Sequence, residues 1–353
     1  MLDDIARAQE SGLDALRRAQ ETPGVWRDYD RIGGGSDEWV PAYVGAALAA
    51  LSNRNARAMA RQTWQALRRR SWWSAGWGYM RRHPADADSS TWTLLLAERL
   101  KVRRSVRAWR AYRFLKRHQR GDGGIATFAI PGPMKAYTRL RTRFDGWCSP
   151  HECVTAATAA LARFRGRRAA LAYLRARQRA DGGWVGYWWA DREYCTTLAA
   201  EALSASEDRS NRAAAQRAVA FTRVTLPAGG AATAAINGDA SAFVAALRLR
   251  TLILADDVDA VTDPVRQTLA WLLGMQRTDG GWSGSAWLRF PPTACTDVET
   301  HTTWTVNQLV EGGVLVDARG IFTTATVLVA LERAVAWARA HELALDAWPA
   351  ASR

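Results

Sequence analysis

The chain has 353 residues, 48% of them hydrophobic, enough to bury a large core as one big domain or two ordinary ones. It has no run of about eighteen apolar residues to span a membrane and no apolar signal core behind Met1-Leu2-Asp3-Asp4-Ile5. Four scattered cysteines (Cys148, Cys153, Cys195 and Cys295) exclude a disulfide framework and imply reduced thiols in a cytoplasm. The net charge of +14 admits nucleic acid, an anionic membrane or an anionic substrate. Arginines such as Arg54, Arg57, Arg61 and Arg163 to Arg168 fall on polar helix faces, however, so a solvated surface is expected and no nucleic-acid partner.

In chain order the sequence repeats one unit. Gln178-Arg-Ala-Asp-Gly-Gly-Trp184 returns as Gln276-Arg-Thr-Asp-Gly-Gly-Trp282, and Gln119-Arg-Gly-Asp-Gly-Gly124 ends in Ile125. Weaker copies stand at Trp26, Trp77 and Gly230, so the six markers lie 51, 48, 59, 46 and 52 residues apart. Each copy pairs an arginine-studded amphipathic helix (2–20, 56–70, 102–119, 165–178, 209–222 and 263–276) with a more apolar one. The apolar set is predicted at 37–51, 88–100, 152–164, 193–204, 239–254 and 300–311. Pairs that cannot bury their faces alone must stack. The predicted fold is all-α: an (α/α)6 barrel of six inner and six outer helices in a single domain over 1–353. An extra C-terminal helix at 321–340 is expected to pack at the seam near the N-terminal one. No period-two strand pattern of useful length competes.

Tryptophan is in excess, 18 against 8 Phe and 8 Tyr. An aromatic run, Trp72-Trp73-Ser74-Ala75-Gly76-Trp77-Gly78-Tyr79, precedes Asp86-Ala87-Asp88-Ser89-Ser90 at the mouth of the second apolar helix, with His83 nearby. Glu38, Asp88, Glu152, Glu193 and Asp239 stand at the starts of the apolar helices, with His301 in the sixth. An acid there is generic, because carboxylates complement a helix N-terminus. Asp86 has no counterpart, so the pair is the anomaly.

The Gln…Asp-Gly-Gly-Trp repeats with an Asp-x-Asp stretch resemble the protonation-initiated (class II) terpene cyclases, which include squalene–hopene cyclase and the class II diterpene cyclases. Their signature, Asp-x-Asp-Asp, is matched by Asp86-Ala87-Asp88-Ser89 except that Ser89 replaces the third acid. Ser149-Pro150-His151-Glu152-Cys153 resembles the segment that supports the acid, and Gln178 to Leu203 resembles the next repeat. The resemblance runs from about residue 20 to 340. It implies that Asp88 is the general acid and that Asp86, Ser89 and Ser90 orient it. Those relatives usually carry a second α-barrel, and their cavity lies between the two. A lone domain therefore calls for a lid, a homodimer partner or a separate protein to close its cavity.

Two carboxylates in an apolar site cannot both ionise cheaply, so one keeps its proton. The carbocation that follows needs a dry cavity lined with π-faces. Trp77, Tyr79, Trp92, Trp147, Trp188, Trp189, Tyr194, Trp304 and Phe322 are the candidate liners, with His151 and Glu152 beside them. The long third turn, 126–147, carries Pro131-Gly132-Pro133 and then Lys135, Arg139, Arg141 and Arg143, a candidate lid or head-group clamp. The expected substrate is a linear C15–C20 isoprenoid with a diphosphate or aromatic head. The protonation itself needs no cofactor and no metal, and Mg2+ enters only with a diphosphate. Peripheral membrane contact stays open. Asp256-Asp257-Val258-Asp259 reads as a loop before Asp263-Pro264 and is no metal-ionisation motif.

Two other classes compete. Zinc-dependent protein prenyltransferase β subunits share the barrel and its turns, and Cys195, Cys295, Asp297 and His301 are the residues that would hold zinc. A barrel that only binds an isoprenoid or a protein would use Asp86 and Asp88 merely as caps. Glycosidases also use this barrel, but they need two separated carboxylates and sugar-stacking surfaces.

Overall fold

The computed structural model describes residues 1–30, 34–69, 74–102, 105–306, 311–343 and 345. Trp72 and Trp73 of the aromatic run lie outside them. Polar-faced and apolar helices alternate along the chain. They are α1 (Leu2–Arg18) and α2 (Trp39–Ala49), α3 (Arg54–Leu67) and α4 (Ala87–Arg99), then α5 (Val106–His118). A short α6 (Gly132–Thr138) follows before α7 (Glu152–Ala159). The remainder are α8 (Arg167–Arg177), α9 (Arg192–Ser204), α10 (Arg209–Thr225), α11 (Ala242–Leu252), α12 (Asp259–Gly274) and α13 (Ile321–Ala340). Helix α1 buries Ile5, Ala8, Leu13 and Leu16 along one stripe, the signature of an outer helix. Every residue of α2 and α11 is buried, as an inner helix requires. The inner ring closes in the order α2, α4, α7, α9, α11, α13 and back to α2.

The repeated turn is a mechanical joint. The indole N–H groups of Trp26, Trp77, Trp184 and Trp282 donate to the carbonyls of Leu16, Leu67, Leu174 and Leu272, each ten residues back at the end of an outer helix. Gln119, Gln178 and Gln276 donate both to their own Gly carbonyl and to the next outer helix, at Gly166, Ala214 and Ala8. The last of these ties the sixth unit to the first. Each Trp therefore caps orphan carbonyls while its ring packs between layers.

The C-terminal helix expected as an extra is itself the sixth inner helix: α13 packs between α11 and α2, with α1 outside it. It is long and apolar enough to cross a membrane, yet 78% of that apolar stretch is buried in the barrel. No helix forms at 300–311 among the described residues. A 3-10 turn at Val298–Thr300 instead interrupts a small sheet, with β1 (Trp287–Phe290) before it and β2 (Thr305–Val306) and β3 (Gly313–Val316) after it. The order is β1-β3-β2, with β1 antiparallel and β2 parallel to β3. Thr300, Thr302, Thr303 and Thr305 are β-branched and stiff, which favours strand over helix here. The thirteenth helix is instead α6, inside the long third turn.

That turn sends a few side chains over the barrel mouth, while Lys135, Arg139, Arg141 and Arg143 stay exposed. Met134, Phe144, Trp147, Tyr187 and Val298 form a small core of their own. Trp147 Nε1 donates to the Pro291 carbonyl at 2.9 Å and Tyr187 Oη to the Cys295 carbonyl at 2.8 Å. The third turn, the segment after Trp184 and the β1 exit thus make one cover.

Candidate functional site

Helix α4 starts where the Trp77 turn straps it. Asp86 N–H donates to the Trp77 carbonyl at 2.9 Å, and Ala87 N–H to the Thr127 carbonyl at 2.9 Å. The Asp86 carboxylate caps the helix, accepting from Ser89 N–H at 2.7 Å and from Ser89 Oγ at 2.8 Å. Ser89, where the motif's third acid is expected, therefore anchors Asp86. Ser90 does a different job: its Oγ accepts from Trp77 N–H at 3.0 Å. Thr155, Thr196 and Thr324 do the same for Ile125, Trp184 and Trp282. Ser90 belongs to the joint and not to the acid.

These hydroxyls also supply the true register of the repeats. Two residues before them stand Asp88, Cys153, Tyr194 and Phe322, the positions that face the barrel interior. Glu152 and Glu193 fall one residue earlier and turn to Arg177 and Arg248. Glu38 accepts from Gly78 N–H, and Asp239 is exposed. The acid at the helix start is therefore not generic: Asp88 takes an inward position that three other repeats give to sulfur or an aromatic ring.

Asp88 Oδ2 accepts from the indole N–H of Trp39 at 2.8 Å. Burial pushes its carboxyl up to about 7, the Asp86 charge adds to the rise, and the indole bond opposes it. Other buried carboxyls rise too: burial lifts Asp28 to about 6 and Asp191 to about 7, and it holds Asp317 well above its ordinary value. Those three accept from backbone N–H groups (of Tyr29, Ala235 and Ala286, for example) and line no cavity with Asp88. Asp88 opens onto one, a space of about 80 Å³ under the cover.

Its wall is largely aromatic: Trp39, Tyr79, Phe128, Trp147, Trp188 and Phe290, with Met134 of α6 reaching in. Trp39 and Tyr79 stack at 5.9 Å, and Trp147 meets Trp188 edge-on at 5.4 Å. Three of the predicted liners, Tyr79, Trp147 and Trp188, are in place. Trp189, Tyr194 and Phe322 pack instead beneath the acid in a solid aromatic floor, with rings 4.1 Å (Trp189–Tyr194) and 5.2 Å (Trp189–Phe322) apart. Trp92 lies one turn below Asp88. Trp77 serves the joint, and Trp304 lies under Arg289 outside the cavity. Glu152 pairs with Arg177. Lys135, Arg139, Arg141 and Arg143 are all exposed and do not line the cavity.

His151 stands behind the wall. Its Nε2–H donates to the Gly146 carbonyl at 2.9 Å, so Nδ1 accepts from Thr127 Oγ1 at 2.8 Å, and that oxygen in turn accepts from Trp188 Nε1 at 2.8 Å. Burial holds the imidazole down to about 3, so it is neutral and fixes the Trp188 ring. Sequence reasoning missed Trp39, Thr127, Phe128, Met134, Leu288 and Phe290. Trp39 had one signal, its place in the first turn of an inner helix. The others sit on connections that carry no periodicity. Cys195, Cys295, Asp297 and His301 do not converge: among the described residues no three His, Cys, Asp or Glu side chains are grouped to hold a metal.

The chain is similar over 95% of its length to the type II terpene cyclase MstE from Scytonema, at 34% identity and a TM-score of 0.91, covering 99% of that chain. Structures of that protein contain geranylgeranyl dihydroxybenzoate, its substrate, or merosterolic acid A, its product. A protein from Actinoplanes is similar at 35% identity and a TM-score of 0.88, with 94% of this chain and 99% of that one covered. The ent-copalyl diphosphate synthase of Streptomyces platensis shares the fold at 19% identity and a TM-score of 0.58, over 86% of this chain and 53% of its own. No protein-family model and no curated protein matches the sequence.

Proposed function

Since the chain belongs to the type II terpene cyclases, we propose that it cyclises a linear C15–C20 isoprenoid with an aromatic head group, using Asp88 as the acid. The observation that carries this reading is a carboxyl, raised to about 7, opening onto a cavity walled by indole, phenol and phenyl rings. Asp88 donates its proton to one carbon of the terminal alkene, and the π electrons form the new C–H bond. The neighbouring carbon becomes cationic, later double bonds close rings onto it, and loss of a proton returns the charge balance. Substrate and product are isomers.

Burial explains both halves of the acid's task. A lone carboxylate is costly in this site, so the resting group stays protonated. The cation formed beside it removes that penalty at the moment of transfer, because it supplies the missing counter-charge in a low-dielectric space. The Trp39 indole holds Asp88 in place, and the Asp86 carboxylate, fixed by Ser89, adds the neighbouring charge that helps keep Asp88 protonated. Each ring within reach of the migrating charge is worth about 0.5–2 kcal/mol. The cavity is smaller than the roughly 300–1,000 Å³ usual for ligand pockets, so Met134 and α6 must swing aside as substrate enters.

The head group that MstE binds supports an aromatic one here. Lys135, Arg139 and Arg141 then meet its acidic group at the mouth. The exposed Ile130 and Leu140 beside them support contact with the membrane from which a lipid substrate leaves. Proton transfer from Asp88 needs no cofactor; only a diphosphate substrate would bring Mg2+.

The test is product analysis with farnesyl diphosphate, geranylgeranyl diphosphate, geranylgeranyl dihydroxybenzoate and squalene. Cyclised isomers are expected from the aromatic-headed substrate, in the presence of EDTA as well, and none from the Asp88→Asn protein. Absence of any isomer, or a product indifferent to that substitution, sinks the proposal.

A further inference from the structure

The inner helices enclose a second space, at the end opposite to Asp88. A cavity of about 410 Å³ lies among their C-terminal halves and is lined from all six of them. Small residues such as Ala47, Ala157 and Ala202 leave the room, and Leu95, Leu198 and Val329 make its flank apolar. Tyr43 and Trp92, 4.6 Å apart edge-on, form its roof. Tyr43 stacks on Phe322 at 3.6 Å, so an aromatic septum separates this space from the acid's cavity.

Its charge is out of balance. Arg99, Arg167, Arg250 and Arg333 line it against two carboxylates, Glu98 and Glu201. Glu98 is occupied by Tyr112 Oη and the backbone N–H groups of Ala162 and Arg163. Glu201 takes Arg250 in a two-pronged pair, both bonds 2.9 Å, and Arg333 as well. Among the described residues Arg99 forms no ion pair; it donates to the Ala46 carbonyl at 2.7 Å. Burial first, and then the Arg333 charge, pull Arg99 down to about 10 against the opposing charge of Glu201, which Arg250 and Arg333 already occupy. Helix C-termini carry partial negative charge, and Arg99 and Arg167 cap carbonyls there. Among the described residues Arg250 and Arg333 cap none; they converge on a single carboxylate in a space that remains open.

We propose that this far end of the barrel is a second binding site, for the oxyanion of a small amphiphile, a carboxylate or phosphate on an apolar stem. The oxyanion would bridge Arg99 and Arg333 beside Glu201, and the stem would lie along Leu95, Leu198 and Val329. The site stands apart from the cyclisation chemistry and holds whether or not that chemistry is as proposed.

Calorimetric titration at constant ionic strength with benzoate, inorganic phosphate and pyrophosphate tests it. Saturable binding of at least one is expected, and the ranking separates a carboxylate ligand from a phosphate one. Arg99→Met should weaken that binding at least tenfold, and Asp88→Asn should leave it unchanged. Glu201→Gln removes the internal anion and should tighten it several-fold, with the bound anion raising the melting temperature more than in the parent. No saturable binding by the parent protein overturns the site. Equal affinity in the Arg99→Met protein, or a Glu201→Gln protein that is destabilised without binding more tightly, reduces the arginines to helix caps only. Where Arg99→Met does not fold, the Glu201→Gln result decides.

Discussion

Asp88 must hold its proton until substrate arrives and then release it to carbon. Burial raises the carboxyl to about 7, so the working, protonated form prevails below that pH and falls about tenfold per pH unit above it. The turnover rate is expected to follow that alkaline limb. The Trp39 indole bond favours the carboxylate, so Trp39→Phe should move the limb upward in pH and lower the rate about tenfold, both read from a pH–rate profile. The same group bears on stability with a definite sign. A carboxyl whose pKa rises from 3.8 to about 7 on folding contributes stability that is complete below pH 4 and is lost as pH rises through 7. Asp88→Asn escapes that loss. Its thermal advantage over the parent should grow between about pH 4 and pH 7 and level off above that, at no more than about 4 kcal/mol.

Neighbouring serines of α4 separate by role at the scale of the element. Ser89 holds Asp86, and Ser90 holds the Trp77 joint as Thr155, Thr196 and Thr324 hold theirs. Ser90→Ala should therefore cost about 1–2 kcal/mol in chemical denaturation yet leave turnover per folded molecule intact. Ser89→Ala should do the reverse, with lower turnover and little change in stability. The cover makes its own prediction. Trp147 closes the cavity from the long third turn and packs against Trp188, so Trp147→Ala admits water to the cation. Partly cyclised alcohols, heavier than substrate by one water, should then appear in mass spectra.

The whole barrel depends on closing its ring. Gly280 at the sixth joint has φ of 84°, and a Cβ there would stand 2.4 Å from the Ser11 carbonyl of α1. Gly280→Ala should destabilise the protein by more than about 2 kcal/mol, measured by thermal or urea unfolding, because strain and clash meet at the seam. The repeat itself was written plainly. Gln, Asp-Gly-Gly and Trp make contacts within one joint or with the next helix, so their spacing alone announced six stacked pairs, and the Asp-x-Asp stretch announced the corner of interest. What chain order concealed was equivalence across insertions. The sixth joint lies 42 residues before its hydroxyl, Thr324, whereas the second lies 13 before Ser90. The sixth inner helix therefore hides behind a sheet, and chain order sets Asp88 beside acids that stand one residue out of register. Trp39, Phe128 and Phe290 reach the cavity from three distant segments. Local contacts leave a period in the sequence. A cavity wall does not, because it is assembled from chain segments that meet only when the ring has closed.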